Sequence, residues 1–394
     1  MSGGPWLAAA LVAATAVACG PPPPTPAPAT LAALAAGSGE PPRPILADTA
    51  DTNDALAYYR YARFNVELGA NLDSADLALY WAARLDPTWA DPLATRAAAI
   101  VRAHRAALLN AAVRRRRVDP ALPLERARVV DSLLHEALGR TPFLRQPPDL
   151  TVTWGFSPRR LGPAGQGRLA FEREDFEEAA KRFGEALVRH PDSLSFRVYR
   201  AHAFYFLTWY DSTVTEMRIV LDSARAREQK ELVLLYPSKE LIEYALAVAL
   251  IQREKWVEAR EALQRALLEN AGFYWARVRL AGVALGLNDT ATAVEELESA
   301  VQLGPGDPAL RFYYGWVLRI AGQSVSAIAE LSEAVRLDPH FANAHAELAI
   351  VYDGLGRAPE AVEHYRAFLA RASRRNTMRA HAQQRVATLG KPPP

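Results

Sequence analysis

A period of 34 residues runs in phase through the C-terminal half of this 394-residue chain and limits what it can fold into. Units begin at Glu240, Tyr274, Pro308 and Ala342, and an earlier pair begins at Arg160 and Leu194. The eighth residue of each unit is small: Gly167, Ala201, Ala247, Ala281, Gly315 and Ala349. Twelve positions later stand Ala179, Thr213, Ala259, Ala293, Ala327 and Ala361. Seven further on are Ala186, Val220, Ala266, Ala300, Ala334 and Phe368. Pro191, Pro305 and Pro339 close three of the units.

Within a unit, apolar residues recur at spacings of three and four, as in Leu241, Tyr244, Ala245 and Val248, so each half reads as an amphipathic helix. Small residues where two helices cross let their axes approach to about 8–10 Å. Larger side chains, Leu263, Leu297, Leu331 and Tyr365, fill the space between small positions. Proline after the second helix forces a turn. A single hairpin of this kind cannot bury its apolar faces, so neighbouring hairpins must stack.

The pattern resembles the tetratricopeptide repeat family, whose unit is a 34-residue helix–turn–helix. The resemblance implies an all-α fold, a right-handed superhelical solenoid of antiparallel helix pairs with about eight repeats. It also implies a non-catalytic scaffold that binds another protein or peptide. In that family the first helices line a concave groove. Carried over by phase, the expected partner-binding residues are His202, Tyr205 and Phe206 beside Val198; Tyr244 and Val248 beside Ile251; and Trp275 beside Val278 and Leu285. Phe312, Trp316 and Arg319 follow, then Asn343 beside Ile350 and Asp353. Members that clamp a terminal carboxylate place Lys and Asn where this chain has Tyr244, Phe312, Val248 and Trp316, so no such clamp is expected. An apolar, aromatic groove suits a peptide with hydrophobic anchors. The alternatives are that these aromatics pack between adjacent first helices, or that the long insertions fold over them.

The N-terminal half departs from the period. A unit counted back from Pro87 starts at Leu56, with Ala75 and Ala82 at small positions but Arg63 at the eighth, as suits a terminal repeat. Helices are expected at 54–68 and 74–85. A long one is expected from about Pro92 to Arg117, and another from Leu124 to Leu138 stopped by Gly139. Residues 145–158 read as an irregular loop. The unit from Leu194 is 46 residues long, so about three extra helical turns are expected after Leu221. Arg379 to Leu389 reads as a cap helix.

Trp6 to Ala18 is an uncharged apolar run of 13 residues, too short for a bilayer span and suited to a signal-peptide core. It ends in Ala16-Val17-Ala18-Cys19-Gly20, which resembles a bacterial lipoprotein signal, in which the cysteine receives lipid and becomes the mature N-terminus. The start lacks Lys and Arg, and Ala16 stands where that family has leucine. The alternative is an ordinary secretory signal in which Cys19 is incidental. Pro- and Ala-rich residues after it would act as a semi-rigid spacer. The expected organisation is a signal at 1–19, a tether at 20–50, degenerate repeats at 51–159 with an insertion at about 118–159, regular repeats at 160–375 with an extended unit at 194–239, and a cap helix with a Pro tail at 376–394. The expected place is the bacterial envelope, anchored through the lipid and facing the periplasm or cell surface, with the outer membrane as the expected site.

No catalytic constellation emerges. His135-Glu136 begins a zinc-protease motif, but Gly139 stands where the second histidine belongs, so neither metal nor cofactor is expected. Gly162 to Gly167 lacks the Lys-Ser/Thr of a phosphate loop, and no Gly-x-Ser-x-Gly elbow exists. A net charge of +2 gives no pull toward nucleic acid. Arg114 to Arg117 and the group Arg371, Arg374, Arg375, Arg379 and Arg385 read either as sites for anionic partners or as helix-end charges. Two further readings stay open: a periplasmic chaperone or carrier for lipid or unfolded envelope proteins, and an enzyme in which Asp131, His135 and Asp149 converge.

Overall fold

A computed structural model describes residues 40–46, 51–68, 71–113, 124–145, 161–228 and 239–390. Those residues form seventeen α-helices and no strand. Helices α1 (Ala55–Leu68) and α2 (Leu72–Leu85) pair first, followed by α3 (Asp91–Val113) with α4 (Leu124–Arg140). Next come α5 (Pro163–Glu172) with α6 (Phe176–Arg189), α7 (Leu194–Phe206) with α8 (Tyr210–Glu228), and α9 (Lys239–Ile251) with α10 (Trp256–Glu269). The series ends with α11 (Tyr274–Gly286) and α12 (Thr290–Leu303), α13 (Pro308–Ile320) and α14 (Ser324–Leu337), α15 (Ala342–Gly354) and α16 (Ala358–Arg371), and the cap α17 (Met378–Leu389). Consecutive pairs pack side by side, each second helix touching the next first helix, except that α4 does not pack on α5 and instead meets α11.

Every small position of the 34-residue period is buried. Gly315 lies so close to Leu331 that an added Cβ would stand 2.6 Å from its Cγ. The one polar crossing residue, Thr213, donates its hydroxyl to the Ala201 carbonyl across the hairpin (3.3 Å), so its burial leaves no unsatisfied group. A second link recurs at a separation of 19 residues: Arg197–Glu216 (3.3 Å), Arg277–Glu296 (2.9 Å) and Arg311–Glu330 (2.6 Å) each tie a first helix to its second. In the last pair the same positions hold His345 and His364, whose Nδ1 atoms are 3.1 Å apart.

The turn inside each of the six hairpins from α5 to α16 has a fixed shape. One residue adopts a left-handed conformation: Glu174, Thr208, Glu254, Asn288, Gly322 and Gly356, with φ between 55° and 75°. The following N–H then donates to the carbonyl five residues back, as Trp209 does to Phe204 (2.8 Å) and Asp289 to Ala284 (2.8 Å), closing the first helix. Asp175, Ser193, Asp289 and Asp307 accept backbone N–H groups at helix starts.

One expectation differs from the structure. Gly139 does not stop α4, which runs to Arg140; its missing side chain serves a packing role described below. The lengthening of the Leu194 unit is seen in α8 as far as Glu228, and 229–238 lie outside the described residues. Residues 1–39, Arg114 to Arg117 and most of the 145–158 loop, with Cys19 and Asp149, also lie outside them. Among the described residues, no helix is long and apolar enough to cross a membrane. The C-terminal arginines act locally: Arg379 donates to the carbonyls of Leu369 (2.8 Å) and Ala372 (2.9 Å), Arg371 to that of Pro339 (2.7 Å), and Arg385 pairs with Asp353.

The left-handed turn position yields a paired test. A β-branched residue there is strained, so Thr208→Gly raises stability by about 0.5–1 kcal/mol in urea unfolding, while Gly322→Val lowers it by roughly 1–2 kcal/mol.

Candidate functional site

The first helices present one continuous face, and α2, α4 and the segment 141–145 lie against it. Contact begins at the C-terminal end of α4. Gly139 sits on the Trp275 indole: an added Cβ would stand 2.3 Å from Cδ1, so only glycine allows this approach. The Tyr244 hydroxyl donates to the Gly139 carbonyl (2.8 Å), and Arg279 donates through Nη2 to the Arg140 carbonyl (2.8 Å) and through Nε to the Tyr244 hydroxyl (3.2 Å). These groups take up carbonyls that a helix end leaves without partners. The Arg140 guanidinium lies over Trp275, 5.8 Å from the ring centroid, and pairs with Glu136. Burial works against its charge, and Glu136 and Asp307 more than offset this.

Beyond the helix end, Phe143 stacks on Tyr205 at 3.8 Å between centroids and meets His202 edge-on at 5.1 Å. Burial holds the His202 imidazole neutral, its pKa lowered to about 4. Arg145 lies over the Phe206 ring (5.3 Å) and reaches Glu174 (3.3 Å), which also binds Arg63. The odd residue at the eighth position of the first unit is therefore a docking contact.

At the other end, Arg84 on α2 meets the buried Asp338 (3.3 Å), and Trp81 packs edge-on against His340 (5.2 Å). His340 Nε2 lies 2.8 Å from Glu40, and Arg43 covers Trp81 (4.4 Å). Asn53 donates to the Ala370 carbonyl (2.9 Å), and Asp51 accepts from the Arg374 backbone. The first hairpin thus touches both the turn before α15 and the end of α16.

The expected groove residues divide accordingly. His202, Tyr205, Phe206, Tyr244 and Trp275 meet the chain's own residues 139–145, and Tyr244 is 0% and Trp275 4% exposed. Val248 is buried in the same core. This is the arrangement in which the insertion folds over the aromatics: their apolar surface is taken from water by the nearest available cover. Phe312 packs on Phe341 (4.9 Å), and Arg319 pairs with Glu347 (2.7 Å). Trp316 is half-buried and Asn343 exposed, so the α13–α15 stretch holds the accessible part of the set. Asp131 and His135 point away from this face, exposed on α4. Among the described residues, no group of three or more His, Cys, Asp or Glu side chains is placed to hold a metal ion.

Sequence reasoning missed Arg279, Arg140 and Phe143. The available signals were an arginine beside inner-face Val278, and a glycine followed by arginine at the end of an inserted helix.

Sequence models described as tetratricopeptide repeat match residues 165–205, 250–313 and 315–376. The chain therefore carries tetratricopeptide repeats in an all-α fold, a class whose members generally mediate protein–protein contacts without catalysis. It is 39% identical over 74 residues to the TPR repeat-containing thioredoxin TTL4 of Arabidopsis thaliana, covering 19% of this chain and only 11% of that protein. Among solved structures, the C-terminal part of a TPR repeat-containing protein from Cytophaga hutchinsonii is similar over 52% of this chain and 78% of its own (14% identity, TM-score 0.45). YrrB, described as a TPR protein with an unusual peptide-binding site, is similar over 52% of this chain and 100% of its own (18% identity, TM-score 0.39). A thermophilic TPR protein of Thermus thermophilus is similar over 50% of this chain and 100% of its own (18% identity, TM-score 0.38). At such scores these likenesses carry no further argument.

The docking surface and the last hairpin respond to acid in opposite senses. Burial pushes the Asp338 carboxyl up to about 6 from 3.8, with Arg84 opposing. The folded state holds that proton more tightly, so this contact gains stability as pH falls from about 6 toward 4. Burial lowers His345 to about 4 from 6.5, with Arg371 and His364 adding, so the α15–α16 pair loses stability as pH falls from about 6.5 toward 4. Urea unfolding at pH 4.5 and 7 checks both: Asp338→Asn removes the acid-side gain, and His345→Gln removes the acid-side loss.

Proposed function

We propose that the chain is a non-catalytic protein-interaction scaffold of the bacterial cell envelope, with a partner segment held on the concave face. The observation that carries it is the stack of hairpins matched by tetratricopeptide repeat models, which presents one continuous face of aromatic and charged side chains. The accessible stretch is Phe312, Trp316, Arg319 and Asn343, with a half-buried indole and an arginine on α13 and an exposed amide on α15. An aromatic anchor bordered by hydrogen-bonding groups is the arrangement that binding hot spots favour. A rigid scaffold also loses little conformational freedom on binding.

The floor supports a polypeptide occupant over an acyl chain. It already holds a helix end through two backbone carbonyls and one stacked aromatic, bound by Tyr244, Arg279 and Tyr205. Placement in the envelope rests on the Trp6–Ala18 run, Cys19 and the Pro-rich segment after it, with lipid on Cys19 as the anchor.

The test is co-purification from detergent-solubilised envelopes, comparing wild type with Trp316→Ala/Asn343→Ala. That pair spares the docked floor, and the variant is used only if it keeps a wild-type helical spectrum and cooperative unfolding. The expected result is a defined protein recovered with wild type and reduced at least tenfold with the variant. The same proteins recovered equally with both would overturn the reading.

A further inference from the structure

The filled cradle is only partly satisfied by what fills it. His202 Nδ1 and Asp307 Oδ2 have no hydrogen-bond partner among the described residues, although both side chains are at least nine-tenths buried. They stand around the same short segment, His202 against Phe143 and Asp307 within electrostatic reach of Arg140. On the occupant's side, Arg140 Nε is also left without a partner. Buried polar groups in a settled core are normally paired, and each one left unpaired weakens the state that contains it. A contact that fits in shape at three points and leaves three polar atoms unmet can be replaced by a better-matched occupant.

What the cradle recognises is legible from what it holds. Trp275 admits a residue without a side chain. Tyr244 and Arg279 take successive main-chain carbonyls. The carboxylate of Asp307 favours a cation at the next position, and Tyr205 with His202 receives an aromatic ring three residues later. We propose that this cradle is a peptide-binding site that residues 139–143 occupy in cis, and that a partner segment of the same class displaces them. That class is glycine followed by arginine, with an aromatic residue three positions after the arginine. The inference rests on the scaffold reading above and deepens it by naming the ligand's chemistry and its internal competitor.

A tethered occupant competes at high effective concentration, so an external ligand binds with its affinity reduced by the fraction of molecules whose cradle is free. Weakening the internal occupant then strengthens external binding, the reverse of what a structural core contact gives.

The probe is a fluorescent peptide with the sequence of Leu134–Arg145, titrated by anisotropy into the full chain. Wild type, Gly139→Val and Phe143→Ala are compared after each shows a wild-type helical spectrum and cooperative unfolding. Gly139→Val drives the helix end off Trp275, and Phe143→Ala removes the stacked ring without forcing bulk into the contact, so it decides alone if the valine variant does not fold. The expected result is binding at least about tenfold tighter by the variants than by wild type. A peptide carrying both Arg140→Ala and Phe143→Ala loses that binding. Variants that bind no better than wild type, or that bind the substituted peptide equally well, would overturn the proposal. Retained loss of partner capture in the Trp316→Ala/Asn343→Ala variant would then leave the scaffold reading standing; equal capture with tight peptide binding would remove that reading and keep the cradle.

Discussion

Two helices can cross this closely only where at least one of them carries no bulky side chain, and that constraint organises the molecule. Ala201 against Thr213, Ala247 against Ala259 and Gly315 against Leu331 set the spacing of each hairpin. With spacing and crossing fixed, each hairpin repeats the last one's geometry, and the stack acquires a continuous inner face. The left-handed residue in each turn holds the two helices to that geometry, even where the residue is Glu, Thr or Asn.

The inner face of such a stack cannot be buried by the repeats that form it. In this chain it carries Tyr205, Phe206, Tyr244 and Trp275, aromatic surface whose exposure to water is unfavourable. The N-terminal half covers it. The cover is specific at α4, where a glycine, two carbonyls and a phenylalanine meet matched groups. It is more polar at its margins, where Arg84–Asp338 and Arg145–Glu174 bring opposite charges together and Glu40 meets the His340 ring. A mixed interface of this kind resembles those between domains more than a single core.

The fold was legible because its determinants are local and periodic. The helices at Leu194, Tyr274, Pro308 and Ala342 start where the units were expected to start. The docking was not legible, because hydrogen bonds such as Tyr244 to Gly139 and Arg279 to Arg140 join residues 105 and 139 apart in sequence, separations on which periodicity is silent. Gly139 shows the difference: local propensity reads it as a helix stop, whereas Trp275 requires the missing Cβ. Arg63 likewise looked like a degenerate repeat position and turned out to bind Glu174 across the interface. The phase of the first helices pointed to Tyr205, Tyr244 and Trp275 as inner-face residues, but phase alone does not say whether a partner or the chain itself lies on them.

The central claim is that residues 40–145 bind the repeats that follow through the helix end at Gly139 and the ring of Phe143. It is tested most directly by cutting the folded chain at a protease site introduced between residues 146 and 160, then passing it over a sizing column. The account predicts that the two fragments of the wild-type sequence travel together, and that those of Gly139→Val/Phe143→Ala separate. Fragments of the wild-type sequence that separate as readily as those of the variant would contradict it.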